Sequence, residues 1–462
     1  MLARGIRSYH RPTRLEEALK LIAQGGVPLA GGTRLFASAR EVPNVLDLSA
    51  LGLARIENHD GDLTLGATAT LQDVIDLPLA YQATAGLLPA ACRAHSASRM
   101  IRSMATLGGE SVHAAHDSDL LAALLALNAV YLVQGGSEGP MEIPAVRFLK
   151  NPGKDLGSSG LLMSILIPGA PDGAALERVA VLPSAPSLVS VAVAVSFAGD
   201  RIARGRVAVT GVVGPPARVP EAEARLEGTP GDELTLREAA SHLTLRLAFR
   251  DDAHAPAAYR KRVASTLALR ALTRAVAQAR AKAAPQVPRL RSSPAARRIA
   301  ELPYFTSGRL DITVNGKPHA AQIEARTTLL DMLRREGFFG TKHGCESGEC
   351  GACTVLLDGK PILSCLTLAL RAHGRNLQTV EGLGTPDALH PIQSAFVDEG
   401  AIQCGYCTPA MELAAKSLLD AIPEPSEAEV REALAGCLCR CTGYVKPVRA
   451  VLSAARALRR PE

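Results

Sequence analysis

Nine of the ten cysteines in this 462-residue chain fall between Cys345 and Cys441, and Cys92 alone lies outside. A secreted disulfide framework would be small and cysteine-dense throughout, whereas here a long cysteine-poor stretch precedes a cysteine-rich one. The opening residues Met1, Leu2, Ala3, Arg4 and Gly5 begin no apolar stretch of signal-peptide length. The expected setting is therefore the reducing cytoplasm. There, clustered cysteines hold metal more often than they form bridges.

Cys345, Cys350, Cys353 and Cys365 follow C-x4-C-x2-C-x11-C, the spacing of a plant-type [2Fe–2S] loop with a later fourth ligand. Three thiolates must converge within a few ångström, so the backbone has to wrap tightly. Gly344, Gly348 and Gly351 permit that and bring amide N–H groups toward sulfur. Structural zinc also accepts four cysteines, but it usually pairs two C-x2-C knuckles. The second set is Cys404, Cys407, Cys439 and Cys441, spaced C-x2-C-x31-C-x-C. Free amides at the start of the helix after Cys407 would favour thiolate. By spacing alone this set suits zinc and iron–sulfur equally. Cys437, Cys439 and Cys441 also alternate, leaving two ligands to be chosen from three.

The elements that must position these sulfurs can be read from pattern. Asp311–Val314, Asn315-Gly316 and Lys317–Ile323 predict a hairpin with a type I′ turn, as do Thr354–Leu357, Asp358-Gly359 and Lys360–Cys365. Thr328 and Asp331 cap a helix through Arg335 between them. Hairpin, helix, loop and hairpin make a small β-grasp arrangement. Two helices follow, Pro409–Ala421 and Ser426–Leu438, the second opened by a Ser426/Glu429 capping box; packed antiparallel, they would gather the second set.

Upstream, Thr13 and Glu16 have capping-box spacing ahead of the stripe Leu15, Ala18, Leu19, Ile22 and Ala23, and Gly25 and Gly26 stop that helix. A strand from Val27 to Ala30 runs into Gly31, Gly32 and Thr33. A helix from Asp119 to Leu127, strands near Val130–Val133, Leu161–Ile167, Leu188–Phe197 and Arg206–Val213, and a long helix Tyr259–Ala279 complete an α+β region in two lobes. Between Ala281 and Arg309, prolines alternate with arginines and apolar periodicity disappears, which predicts a linker.

At this length two or three domains are expected. Apolar residues at 47% against 21% charged indicate globular domains, and 51 basic against 45 acidic residues, a balance of +6, is too even for a nucleic-acid binder. No apolar run reaches the roughly 18 to 20 residues of a membrane helix.

The segments GCESGECGACTVLLDGKPILSCLTLA, QCGYCTPAMELAAKSLL and ALAGCLCRCTGY resemble the iron–sulfur subunit of the molybdenum hydroxylases, the family of xanthine dehydrogenase, aldehyde oxidoreductase and aerobic carbon monoxide dehydrogenase. That resemblance implies Cys439 and Cys441 as ligands and Cys437 as a buried helix-end cysteine. VPLAGGTRLFA and ATLGGESVHAAHDSDLLAALLAL resemble the two flavin loops of the family's FAD-binding subunit. Consecutive amides and a Thr hydroxyl in such loops suit a pyrophosphate. The implied FAD contacts are Leu29, Ala30, Gly31, Gly32, Thr33, Arg34 and Leu35 in the first loop, and Thr106, Gly108, Gly109 and Asp119 in the second. Three positions depart from the family: Glu110 stands where Asn is usual, Arg34 replaces an acidic or small residue, and Ser184–Ser187 lacks the charged residues often near the flavin. His113 and His116 read as solvated or hydrogen-bonded rather than as ligands, and Cys92 as a core residue.

The implied fold is a two-lobed FAD-binding domain (1–175 and 176–280), a linker (281–308), a β-grasp ferredoxin-like domain (309–384) and an α-helical [2Fe–2S]-binding bundle (385–462). The implied function is electron transfer in an oxidoreductase hetero-oligomer: a partner subunit with molybdopterin hydroxylates the substrate, and electrons pass through two [2Fe–2S] clusters to FAD and on to NAD, oxygen or another acceptor. No residue of this chain needs a catalytic role. Two other readings are a flavin-free redox-sensing or scaffold protein and a zinc-stapled interaction module.

Overall fold

Asn315 and Gly316 both adopt positive φ (51° and 77°), as do Asp358 and Gly359 (49° and 80°). This is the backbone a two-residue type I′ turn demands. The turns close the hairpins Ser307–Val314/Lys317–Glu324 and Thr354–Leu357/Lys360–Leu363. Asn376–Gln378 joins them, parallel to the first hairpin and antiparallel to the second, giving a five-stranded sheet with the helix Leu329–Arg335 between its two halves in sequence. The computed structural model describes residues 5–37, 41–135, 139–182, 185–282, 299 and 301–459.

The chain divides into two units, residues 1–51, 97–105 and 289–462, and residues 52–96 and 106–288. In the first, the β-grasp sheet is followed by helices Pro391–Asp398, Thr408–Ala421, Glu427–Leu434 and Val445–Ala457. A four-stranded sheet is ordered Leu302–Phe305, Ser8–Arg11, Asn44–Asp47, Val27–Leu29. One continuous apolar core runs through this unit, from Ile6, Leu29 and Met104 through Leu330, Val355 and Cys365 to Phe396, Leu418 and Val451.

The second unit holds a five-stranded antiparallel sheet, ordered Ile56–His59, Asp62–Gly66, Leu161–Ile167, Val130–Gln134, Pro140–Pro144, and a four-stranded one ordered Ala217–Arg218, Arg201–Val209, Ser187–Ala198, Gly173–Ala180. The 25-residue helix Ala257–Ala281 buries Ala264, Leu267, Ala268, Ala271, Leu272 and Ala275 in a shared core with Val191, Val193 and Val207 of that second sheet. Small residues at helical spacing let helix and sheet approach closely: a Cβ on Gly173 would come within 2.0 Å of the Ala275 carbonyl oxygen.

Several expectations are corrected. The first helix, Leu15–Ala23, is capped by Arg14 without a side-chain bond. Thr13 instead donates to Glu301 (3.3 Å), which the pairing of Arg11 with Leu302 brings alongside. The strand expected at Arg206–Val213 spans Arg201–Val209, because its partner Ser187–Ala198 sets the register. Cys365 sits in a 3-10 turn, Ser364–Leu366, just past its strand. The helix opened by Ser426 does form its capping box with Glu429, but ends at Leu434 rather than Leu438. There Leu438 N–H leaves the helical path to bond the Cys350 carbonyl (2.9 Å). Most of the expected linker 281–308, namely 283–298 and 300, lies outside the described residues. Its last part is no linker: Leu302–Phe305 is a strand paired with Ser8–Arg11, and Ser307 opens the next strand.

Candidate functional site

In the β-grasp domain the loop between the hairpins folds back on itself. Glu349 N–H and Cys350 N–H each point at the Cys345 sulfur (3.3 Å), and Cys345 N–H points at the Cys350 sulfur (3.4 Å). Gly348 and Gly351 have φ of 85° and 71°, and a Cβ on Gly348 would strike Leu366 at 2.4 Å. The four thiols associate in pairs. Burial opposes ionisation of Cys345, but hydrogen bonds from Ser347 and the Cys350 amide outweigh it and hold the thiol down to about 6. Burial and the Cys345 thiolate push Cys350 up. Likewise the hydrogen bond between Cys365 and Cys353 lowers Cys353 and raises Cys365. Cys353 and Cys365 are buried, Cys350 is half-buried and Cys345 is exposed.

The helical set pairs in the same way. Cys441 lies 3.5 Å from Cys404, sulfur to sulfur. The Tyr406 amide and Cys441 lower Cys404, and that bond raises Cys441. Cys407 is buried and pushed up to about 12 by that burial and by its hydrogen bond to Cys439. Cys439 is held below the usual thiol range: burial opposes this, and Thr442 and neighbouring amides prevail. Helix-start amides were expected to favour both thiolates of the C-x2-C pair. They do so for neither: Cys407 is the N-cap residue and makes no side-chain cap bond, and the amide that lowers Cys404 is that of Tyr406, ahead of the helix.

Cys437 is 1% exposed, and burial pushes its thiol up. Tyr444, to which the sequence pattern assigns no role, binds both neighbours: its hydroxyl donates to the Cys437 carbonyl (3.1 Å) and accepts from Cys439 N–H (2.8 Å). The two sets are tied together. Leu438 N–H bonds the Cys350 carbonyl, the Tyr406 hydroxyl donates to the His343 carbonyl, and a Cβ on Gly351 would meet the Gly436 oxygen at 2.0 Å.

The first glycine loop lies in the same unit. Leu29 ends its strand with 1% exposure, and the chain turns at Gly32 (φ 84°), whose oxygen accepts from Phe36 N–H (3.0 Å). Thr33 and Leu35 are half-buried and Arg34 is exposed. Beneath the loop, Asp47 is enclosed by Arg11 (3.5 Å), Arg371 (3.4 Å), the Tyr9 hydroxyl and Ser49 N–H (2.9 Å). Burial works against its ionisation, and Arg371 and Arg11 override that to lower its pKa. Arg371 also reaches the Gly31 carbonyl (3.4 Å).

The second glycine loop belongs to the other unit. Thr106 caps the helix Leu107–His113, its Oγ1 accepting from Gly109 N–H (3.1 Å), which leaves the hydroxyl proton able to donate. Gly108 lies flush on the Ala67 carbonyl, 2.6 Å from where its Cβ would stand. Glu110 turns inward, 3% exposed and 3.3 Å from His95, so the departure from Asn is met by a buried partner. Asp119 is 2% exposed, accepts from Ser187 Oγ (2.9 Å) and pairs with Arg178 (3.1 Å). Its Oδ1 has no hydrogen-bond partner among the described residues. Burial raises its pKa against Ser190, Arg178 and Ser187. Arg178 also bonds Ser187 (2.8 Å) across paired strands; Ser184 itself lies outside the described residues.

Both cofactor types fit these residues. Two thiols per iron is the donor chemistry of a two-iron, four-cysteine cluster, and each set offers two close pairs, while among the described residues no three such side chains converge on one point. The glycine loops leave no room for side chains, and Asp119 keeps an acceptor unused. Four family models match in order: the FAD binding domain in molybdopterin dehydrogenase (4–170), the CO dehydrogenase flavoprotein C-terminal domain (183–275), the 2Fe-2S iron-sulfur cluster binding domain (312–376) and the [2Fe-2S] binding domain (379–452). One of the nicotinate dehydrogenase subunits of Pseudomonas putida is 48% identical over 33% of this chain and 98% of its own length. Nicotine 6-hydroxylase small subunit of Paenarthrobacter nicotinovorans is 50% identical over 31% and 88%. Among solved structures, the Cu,Mo-CO dehydrogenase superposes with a TM-score of 0.54 at 25% identity, covering 58% of this chain and 97% of that one. Quinoline 2-oxidoreductase from Pseudomonas putida 86 gives 0.54 at 26%, covering 59% and 97%.

The chain belongs to the molybdenum hydroxylase family, as a fusion of its FAD-binding and 2Fe–2S subunits. It is an electron-transfer subunit of an oxidoreductase, carrying FAD and two 2Fe–2S clusters. The flavin-free alternative has no support. Among the described residues no helix is long and apolar enough to cross a membrane.

Proposed function

We propose that Cys345, Cys350, Cys353 and Cys365 hold one 2Fe–2S cluster, that Cys404, Cys407, Cys439 and Cys441 hold the other, and that the loops 29–35 and 106–119 bind FAD. The observation that carries the cysteine assignment is the approach of the thiols in pairs: Cys345 and Cys350 exchange amide-to-sulfur contacts of 3.4 and 3.3 Å, and the Cys404 and Cys441 sulfurs lie 3.5 Å apart. When bound, the clusters carry single electrons and the flavin collects two. The chain's own residues hold and screen them. The loop amides at Glu349 and Cys350 stabilise thiolate charge, and Arg371, Arg11 and Asp47 fix the floor of the first flavin loop. Cys437, left outside the ligand set by the family resemblance, holds no iron; it is 1% exposed and its carbonyl accepts from the Tyr444 hydroxyl.

The partner is a separate molybdopterin subunit, docking where Cys404 and Cys441 are exposed, and the acceptor beyond FAD is NAD, oxygen or another oxidant. The domains divide near 175, 280 and 384, while the division expected at 308 falls inside the strand Ser307–Val314. Unbridged cysteines throughout favour a cytoplasmic setting. Affinity purification of the tagged full chain tests the partner: a second chain with molybdenum and pterin should co-purify, whereas recovery of the tagged chain alone, free of molybdenum, contradicts the proposal.

A further inference from the structure

Met104 makes two contacts at once inside the first unit. Its sulfur accepts the Leu363 N–H (3.3 Å) at the end of the strand that delivers Cys365. Its carbonyl lies against Gly31, where a Cβ would come within 2.0 Å of that oxygen. Met104 is 6% and Leu363 0% exposed, so the bond is shielded from water. An apolar residue of equal size would leave the Leu363 donor buried and unsatisfied. The link is therefore specific to an acceptor at this position. Arg371 spans the same gap from the other side, between the turn after Cys365 and the Gly31 carbonyl.

We infer that Met104 is a positioning residue for the electron step between the β-grasp cluster and the flavin, its thioether fixing the spacing of the Cys365 turn from the first flavin loop. The inference rests on the cofactor assignment proposed above. With both cofactors bound, the cluster would supply electrons one at a time and the flavin would take up two, together with two protons from water. No bond forms between protein and cofactor, so geometry and potential are what the protein can set.

The test uses the full chain carrying its cofactors, in three forms: parent, Met104→Leu and Met104→Gln. Leu keeps the volume and removes the acceptor, whereas Gln restores one. Pulsed deazaflavin photoreduction supplies single electrons, the visible spectrum follows their passage to the flavin, and a titration monitored by electron paramagnetic resonance reads the cluster potential. Hydrogen exchange at Leu363 reports the bond itself without any cofactor. The Leu variant should keep its iron and flavin, exchange Leu363 faster, pass electrons about tenfold more slowly and shift the potential, with Gln restoring all three. Parent-like electron passage and potential in Met104→Leu would overturn the inference and leave the cofactor assignment standing. Rapid exchange of Leu363 in the parent would overturn it with no variant needed. A parent without iron or flavin would remove the cofactor assignment and the inference together.

Discussion

The β-grasp set and the helical set use four cysteines each, yet they are protected differently. Three of the first four come from one loop of nine residues, whose amides point at sulfur, and the inner pair, Cys353 and Cys365, is fully enclosed. The second four come from two segments 31 residues apart, and their outer pair, Cys404 and Cys441, is exposed. The difference is one of degree: an amide also approaches sulfur in the second set, Thr442 N–H lying 3.5 Å from Cys439, but two of its four cysteines are exposed against one of the first four.

Removing a ligand is the harshest way to break this comparison. Cys350→Ser should lose the β-grasp cluster and keep the helical one, and Cys407→Ser should do the reverse. Iron per chain should drop by about half in each, and flavin reduction through the clusters should stop. Iron analysis with electron paramagnetic resonance checks this; full iron content in either variant would refute the ligand assignment.

Next in size is Asp47→Asn. Asp47 anchors the turn Ala369–Ala372 behind Cys365 through Arg371, and it neutralises the fully buried Arg11. Its loss should cost about 3–5 kcal/mol, measured by denaturant unfolding, while the helical cluster remains. Because its folded pKa is depressed, this contribution is present above the ordinary carboxylate value and is lost as the pH falls below it.

A smaller effect distinguishes thiols within a pair. In the cofactor-free chain, Cys345 should react with iodoacetamide with a midpoint near pH 6, and Cys350 only above the usual thiol range, read by peptide mass mapping. The folded loop's preference for the Cys345 thiolate stabilises it above the ordinary thiol pKa and is lost as the pH falls through about 6. Equal midpoints would deny the pairing.

The smallest effect is expected of Cys437→Ser, which should keep both clusters and lose about 1 kcal/mol of stability. Disappearance of the helical-domain resonance would place Cys437 among the ligands.

The β-grasp domain was legible because turn chemistry and cysteine spacing are local: Asn315-Gly316 and Asp358-Gly359 dictate their hairpins, and Gly348 and Gly351 mark the tight loop. What the sequence concealed depends on distant pairing. Arg178 reaches Asp119 only because Ala180 lies opposite Ser187 in the sheet. His95 meets Glu110 across two short helices, and Arg371 meets Asp47 across 324 positions of sequence (371 less 47). The helix Val445–Ala457 went unread because Tyr444, in a left-handed conformation, starts it without a polar cap.

Assay of anaerobically prepared full chain for iron, acid-labile sulfide and zinc tests the central assignment most directly. Two diiron sites predict about four irons and about four sulfides per chain. Stoichiometric zinc with no sulfide would contradict it.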